Sequence, residues 1–323
     1  MTTYSLARLL VVPGFPGDSG WPVDLAGGAA GTIVMGGSTA VAAGDYLTGL
    51  PGDPRPFVSV DYEGGKVVRQ SDVLGPLPSA RELAATMSPD QVRELAAEKG
   101  RAMRSVGINV DYAPVADLDL GSPIIDSRSF SSDPAVVVSY AGAFSDGLRS
   151  AGVLPVLKHF PGHGSANGDS HKGAVTTDPW SVLRTRDVPV FAQLLQRPGP
   201  WMVMMGHMTV PGLSSDDVTP TSLDPAAYQA LRAETGFNGP VITDDLSIMR
   251  AITDRYPVPE AVVLAIQAGA DLALIAQSDD YEAAVNSLAQ WGDVDAGHRE
   301  RLEQSARRAF AYMPCGRSDG PFN

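Results

Sequence analysis

The chain has one cysteine, Cys315, among 323 residues. That excludes an internal disulfide framework and any cysteine-rich zinc or iron–sulfur site. Long apolar runs are also missing, and no stretch nears the ~18 consecutive apolar residues of a membrane span. The N-terminal segment MTTYSLARLLVVPGFPG holds one basic residue, Arg8. Its apolar run of about five residues is shorter than the roughly 7–15 of a signal-peptide core. The sequence therefore reads as a soluble cytoplasmic protein, with an exported or lipid-anchored form whose leader was removed left open. Basic residues are scarce: 24 Lys and Arg against 37 Asp and Glu leave a net charge of −13. A surface that acidic repels phosphate backbones and anionic lipids, which argues against nucleic acid and membrane partners.

What the chain does have is enough apolar residue, 44%, to bury a large core, and 34 glycines and 26 prolines spread along its length as turn signals. Short apolar runs recur at Leu9–Val12, Thr32–Met35, Phe57–Asp61, Ile108–Tyr112, Val153–Lys158, Trp201–Met205, Pro240–Thr243 and Leu272–Ile275. Each is apolar on both faces, as strands covered on both sides must be. Helical patterns fill most of the gaps. Ser79-x-x-Glu82 and Ser88-x-x-Gln91 read as capping boxes, and Asp133-Pro134, Asp178-Pro179 and Asp224-Pro225 as helix starts. Gly152 and Gly236 fall where helices should end. Eight strands alternating with helices over this length predict an α/β fold, a (β/α)8 TIM-type barrel. No linker, charge block or repeat divides the chain, so residues 1–323 are expected to form a single domain. The rival doubly wound sheet wants G-x-G-x-x-G after its first strand, and Gly14-Phe-Pro-Gly17-Asp-Ser-Gly20 does not fit.

A barrel carries its chemistry on the loops after the C-terminal ends of its strands. Those positions hold Asp61, Glu63 and Arg69 after strand three, Asp117, Asp119 and Arg128 after strand four, and Lys158, His159 and His163 at the end of strand five. Asp169-Ser170-His171 follows, then His207 after strand six and Asp244-Asp245 after strand seven. Each has a plain structural reading. Asp61 and Arg69 could pair across a turn, and one of the two aspartates at 244–245 could cap a helix over Leu246–Ile252. Lys158 is harder to explain that way, because a buried ammonium needs a polar partner or ligand. Gly162-x-Gly164-x-x-x-Gly168 is a poor phosphate loop, and zinc through His159, His163 and His171 matches no common ligand spacing. The pair Asp169 and His171 suits acid/base work better, since a carboxylate beside an imidazole orients it and stabilises its charged form.

Together these segments carry a family resemblance. KHFPGHGSANGDSH (158–171) closely resembles the signature of bacterial β-N-acetylglucosaminidases of glycoside hydrolase family 3, in their single-domain branch. VDYEGGKVVR (60–69), GINVDYAPVADLD (107–119), SPIIDSRSF (122–130), VMMGHMTVPGL (203–213), TPTSLDP (219–225) and VITDDLSIM (241–249) follow in the family's order. The resemblance implies Asp244 as nucleophile, His171 as acid/base and Asp169 as its orienting partner. It places Asp61, Arg69, Arg128, Lys158 and His159 on the hydroxyls and N-acetyl group of the terminal sugar, and His207 in the same pocket. The family commonly has Gly-Asp-Arg where this chain has Asp126-Ser127-Arg128, which leaves open how that loop sits. A leading helix is also common in the family. Here strand one begins within the first dozen residues, so the barrel bottom is expected to be less well plugged.

The implied activity is a retaining exo-hydrolase that removes a non-reducing terminal N-acetylglucosamine from oligosaccharides or muropeptides, in peptidoglycan recycling or turnover. Glycines 162, 164 and 168 are expected to make the acid-bearing loop flexible. No metal or organic cofactor is called for, and a monomer is expected. Three alternatives remain at this stage: an N-acetylglucosaminide phosphorylase, a β-glucosidase of the same family, and a carbohydrate-binding barrel without chemistry.

Overall fold

Each of the eight apolar runs becomes a parallel strand. In the computed structural model, which describes residues 1–15, 28–29, 31–35, 56–213 and 216–311, these are β1 (Val11–Phe15), β2 (Gly31–Val34), β3 (Phe57–Val60), β4 (Val110–Asp111), β5 (Leu154–Phe160), β6 (Met202–Met205), β7 (Val241–Thr243) and β8 (Ala273–Ile275). Their order is β7-β6-β5-β4-β3-β2-β1-β8, with registers such as Val11↔Ala273, Val110↔Leu154 and Val241↔Val203. The bridge Ile242↔Leu272, with Thr243 N–H on Leu272 O at 3.1 Å, joins the two ends. The sheet is thereby rolled into the expected (β/α)8 barrel. Cys315 and most of the Gly14–Gly20 turn lie outside the described residues.

Alternation along the strands explains why they are apolar throughout. Val12, Ile33, Val110, Val156, Met202, Met204, Ile242 and Leu274 form one buried cluster that fills the barrel. Val11, Val34, Val58, Val60, Leu157, Val203, Val241 and Ile275 belong to a second cluster shared with the helices. Helices of eight or more residues are α1 (Thr3–Leu10), α2 (Pro89–Ser105), α3 (Pro134–Ser150), α4 (Val188–Leu195), α5 (Pro225–Thr235), α6 (Val258–Ala268), α7 (Tyr281–Gly292) and α8 (Ala296–Phe310). None of the described helices is long and apolar enough to cross a membrane.

Local signals set most of the helix ends. Both capping boxes form, at Ser79/Glu82 and Ser88/Gln91, and Asp133 and Asp224 accept from the backbone N–H two residues on. Gly236 ends α5 in the left-handed conformation, and Gly152 lies just past α3 at φ 78°. Three expectations need correction. Asp178 caps no helix: Pro179 takes the cap position of the helix Trp180–Arg186, and the Asp178 carboxylate turns to Arg186 at 2.8 Å. The expected helix Leu246–Ile252 is reduced to Arg250–Thr253, because Asp245 draws the N–H and hydroxyl of Ser247 into a turn instead.

The third correction concerns the N-terminus. A leading helix is present: α1 begins under the Thr2 side chain, which accepts from Ser5 N–H at 3.1 Å, and residues 9 and 10 are helical rather than strand. Leu6, Ala7 and Leu10 recur at helical spacing and bury one face of it. Its neighbours are α7 and α8. At the far end of α8, Ala309 joins the cluster inside the barrel, with Phe310 packed against it. The C-terminal end of α8 therefore packs into the N-terminal mouth.

Among the described residues helices α2 and α3 pack over the most extensive helix–helix contact, and Gly147 permits it. A Cβ there would overlap the Arg93 carbonyl and the Ala96 side chain. Gly147→Ala should therefore destabilise the fold by about 1–3 kcal/mol, the usual range for overpacking. Chemical denaturation checks this; an unchanged midpoint would mean that the two helices can separate at little cost.

Candidate active site

Every strand from β3 to β7 delivers a charged or imidazole side chain to the C-terminal mouth. Beyond β3 the chain passes through Asp61 into a small antiparallel ribbon, Tyr62–Gly64 with Val67–Val68, which turns Glu63 inward. Glu63 receives a two-pronged contact from Arg128, Nε at 2.7 Å and a terminal nitrogen at 2.8 Å. Lys158, inside the apolar β5, places Nζ 2.7 Å from Asp61 and 2.5 Å from Glu63. Burial alone would push Glu63 up and Lys158 down. For Glu63 the adjacent Arg128 and Lys158 outweigh burial and hold the carboxyl well below its ordinary range. For Lys158 the adjacent Asp61 and Glu63 outweigh it and raise the ammonium. Glu63, Lys158 and Arg128 thus stay charged. Removing one partner from such a buried set typically costs about 3–5 kcal/mol, because the survivor is left uncompensated.

Asp117 organises the next layer. It is fully buried and accepts from His163 N–H at 2.7 Å, from His159 N–H at 3.2 Å, and from His159 Nδ1 at 2.6 Å. With its Nδ1 proton committed there, His159 presents Nε2 to the mouth, 3.4 Å from Arg128 and 3.9 Å from Asp244 Oδ2. His163 is pushed down by burial to about 4 and is neutral at physiological pH. The peptide bond between Lys158 and His159 is cis.

Asp244 sits at the end of β7, its N–H on Met205 O at 2.9 Å. Its Oδ1 accepts the following N–H, from Asp245, at 2.9 Å. Oδ2 accepts no hydrogen bond among the described residues. Burial would raise this carboxyl, but nearby His159, His207 and Lys158 prevail and lower it. It is therefore an ionised carboxylate with one oxygen uncommitted. Asp245 divides from it in role: its Oδ1 binds Ser247 and Ala276 N–H and fixes the turn. His207 has both ring nitrogens engaged, Nδ1 with the Ser222 hydroxyl at 2.7 Å and Nε2 with Asp245 O at 2.9 Å. Its evident work is holding the Asp244–Asp245 corner.

The Asp169–His171 pair stands on a separate loop. Nδ1 of His171 is 3.0 Å from Asp169 Oδ1, which also accepts the His171 N–H at 3.0 Å. The imidazole is 45% exposed, and its Nε2 has no partner among the described residues. It makes no hydrogen bond or ion pair with Asp244. The loop is tied to the segment beyond Asp244 by Ala251 N–H on Ser170 O at 3.0 Å. Its base is held more firmly than three glycines suggest. A Cβ at Gly164 would overlap Leu118 O, and the Gly164 carbonyl accepts Ser122 N–H at 3.1 Å. Close approach, not flexibility, is what this glycine serves there.

One further reading changes, and one left open is answered. The pairing of Asp61 with Arg69 does not form: Asp61 serves Lys158, while Arg69 is exposed, tied to Asp61 only through its backbone N–H at 2.9 Å. In the Asp126-Ser127-Arg128 loop, Asp126 adopts φ 39°, which glycine would take more easily. Lys66 at 2.8 Å and Arg81 at 3.2 Å grip its carboxylate, and Arg128 still reaches Glu63. Glu63 and Asp117 stand at strand ends in the sequence, but the resemblance assigns them no role. Their signal was an acidic residue among buried neighbours, where only a partnered charge is tolerated. Among the described residues no three His, Cys, Asp or Glu side chains gather to hold a metal, so His159, His163 and His171 are no ligand set.

An ionised carboxylate with one oxygen uncommitted, facing His159 and near Lys158 and Arg128, at the C-terminal mouth of a (β/α)8 barrel, defines a barrel with an enzyme-type site. The Glycosyl hydrolase family 3 N terminal domain matches residues 51–311, and the chain belongs to that family. It is 48% identical over 268 residues to Beta-hexosaminidase LpqI of Mycobacterium tuberculosis, covering 80% of this chain and 66% of that protein, just under two thirds of its length. Identity is 33% over 253 residues to a Beta-hexosaminidase of Hydrogenovibrio crunogenus, covering 76% of this chain and 70% of that one. The crystal structure of a family 3 glycosyl hydrolase from Mycobacterium smegmatis superposes with a TM-score of 0.88 at 42% identity, over 99% of this chain and 98% of that one.

Beneath the loop base lies Asp187, buried against Gly162 with Arg186 on one oxygen at 2.8 Å and the other unpartnered among the described residues. Burial pushes its carboxyl up to about 6 despite Arg186. A folded-state value above the unfolded one means that the folded protein holds the proton more tightly. That stabilisation is full below about pH 4 and is lost as pH rises towards 6. Asp187→Asn should match wild type near pH 4 and exceed it by about 1–3 kcal/mol at pH 7.5. Unfolding curves for both proteins at the two pH values test this, and parallel pH profiles would refute it.

Proposed function

We propose that the protein is a retaining exo-β-N-acetylglucosaminidase acting on non-reducing terminal N-acetylglucosamine in muropeptide-type cell-wall fragments. The uncommitted Oδ2 of ionised Asp244, facing His159, carries this reading. In the first step Oδ2 attacks the anomeric carbon, and the bond to the bridging oxygen breaks as His171 donates a proton to that oxygen. The sugar is then held as an ester on Asp244. In the second step His171 takes a proton from water, the hydroxide attacks the same carbon, and the ester bond returns its electrons to Asp244.

The surrounding groups suit these steps. Asp169 keeps the imidazole oriented through Nδ1, leaving Nε2 for the proton transfers. Lys158, Asp61, Arg128 and His159 form a rigid donor and acceptor set for sugar hydroxyls and the N-acetyl group, and Arg69 is free to fold inward over a bound sugar. The gap between His171 and Asp244 is consistent with a loop that tightens only around substrate. The names of the relatives support the choice of a hexosaminide over a glucoside.

Asp244→Asn should lower kcat/KM on an aryl N-acetylglucosaminide at least about 10³-fold with the fold intact. Near-wild-type rates in that variant would remove Asp244 from the mechanism. His171→Ala should lose about 10²–10⁴-fold on a chitobiose-type substrate, whose leaving group needs a proton, and much less on an activated aryl glycoside. Equal losses on both substrates would leave His171 without the acid role. In phosphate buffer the product should be the free sugar, not its 1-phosphate.

A further inference from the structure

The opposite end of the barrel carries a second charged concavity that the hydrolytic reading does not use. Asp271 lies just before β8, whose far end reaches Asp245 through Ala276 N–H. Five residues at roughly 3.3 Å each put some 16 Å between the two ends. There α5 and α8 flank an open pocket of about 540 Å³ at the C-terminal end of α6. Arg232 from α5 and Arg301, Gln304 and Arg308 from α8 line it, together with Tyr228 and Ala268.

The charges in this pocket do not balance. Three guanidinium groups surround one carboxylate, that of the fully buried Asp271. The carboxylate is also spent on Val241 N–H at 3.0 Å and on the Ser305 hydroxyl at 3.3 Å. Two of the arginines have structural employment. Arg301 donates to Ile266 O at 3.1 Å and Ala270 O at 2.7 Å, finishing α6, and Arg232 donates to Phe237 O and Gly239 O at 2.9 and 2.7 Å. Arg308 has less: one hydrogen bond to Asp271 at 3.1 Å, with a side chain 39% exposed. A purely structural network in a chain of net charge −13 would have carboxylates at hand to neutralise itself. This one is left two positive charges in excess, on planar forks that suit tetrahedral oxyanions. Burial and mutual repulsion also weaken proton affinity at Arg232 and Arg301, a strain that a bound anion would relieve.

We propose that the pocket between α5 and α8 is a binding site for a phosphoryl group, borne by inorganic phosphate or a small phosphorylated molecule, with Arg308 as its principal ligand and Arg232 and Arg301 as the supporting field. Gln304 supplies an amide at the rim, and Tyr228 and Ala268 an apolar wall for an uncharged remainder. Binding to the folded state raises thermal stability by mass action.

The test uses the full chain and inorganic phosphate, titrated by calorimetry and thermal melting against sodium chloride of equal ionic strength. Saturable one-to-one binding with a rising Tm is expected. Arg308→Gln should weaken it about tenfold or more, the usual loss for a charge-assisted hydrogen bond. Gln304→Glu leaves the arginines and Asp271 in place and should weaken binding similarly by repulsion, so it decides the matter if Arg308→Gln folds poorly. Arg93→Gln, on the distant helix α2, should leave binding unchanged. No saturable response beyond chloride would overturn the proposal. So would phosphate binding that both pocket variants retain, which would place the anion elsewhere, including the catalytic mouth.

Discussion

The structure at the barrel mouth depends on the buried charge cluster Asp61–Lys158–Glu63–Arg128. Two cations and two carboxylates cancel locally, which is the condition under which desolvated charges persist. Their distances also fix geometry: Glu63 is gripped by two nitrogens of Arg128 and by Lys158, so the ribbon after β3, the loop after β4 and strand β5 are tied to one point. His159 and Asp244 take their places relative to that point. A neutral core of the same volume could be as stable, but it would not set donors and acceptors at defined positions around an open site.

Asp117 performs the same service one layer deeper. It holds Nδ1 of His159 and the chain between His159 and His163. Neither acid needs to touch a ligand to matter. The contrast with the Asp169–His171 pair is instructive. In that pair the imidazole is exposed and its partner is only two residues away. In the proposed mechanism the buried half of the mouth serves attack at a defined carbon, and the exposed imidazole serves proton delivery to the leaving group.

The far end of the barrel shows that charge clusters of different balance have different consequences. At the mouth, cations and acids match in number around Glu63. Around Asp271 three arginines share one acid. The first arrangement is complete without solvent or ligand, apart from Asp244; the second retains uncompensated positive charge in an otherwise acidic molecule.

The eight strands, the two capping boxes and the caps at Asp133 and Asp224 were legible in the chain because each follows from neighbours within a few residues. So was the gathering of histidines and acids after successive strands, since barrel topology puts all such ends on one face. Helix α1 was missed because its apolar residues run directly into β1 without a break, and only burial of one face reveals the helical period. Tertiary structure alone decided the pairings: Lys158 with Asp61, 97 residues apart, and Arg128 with Glu63, 65 apart. Which acid meets which cation depends on strand register and barrel closure. Those are set by packing of the whole apolar core, and no local spacing encodes them.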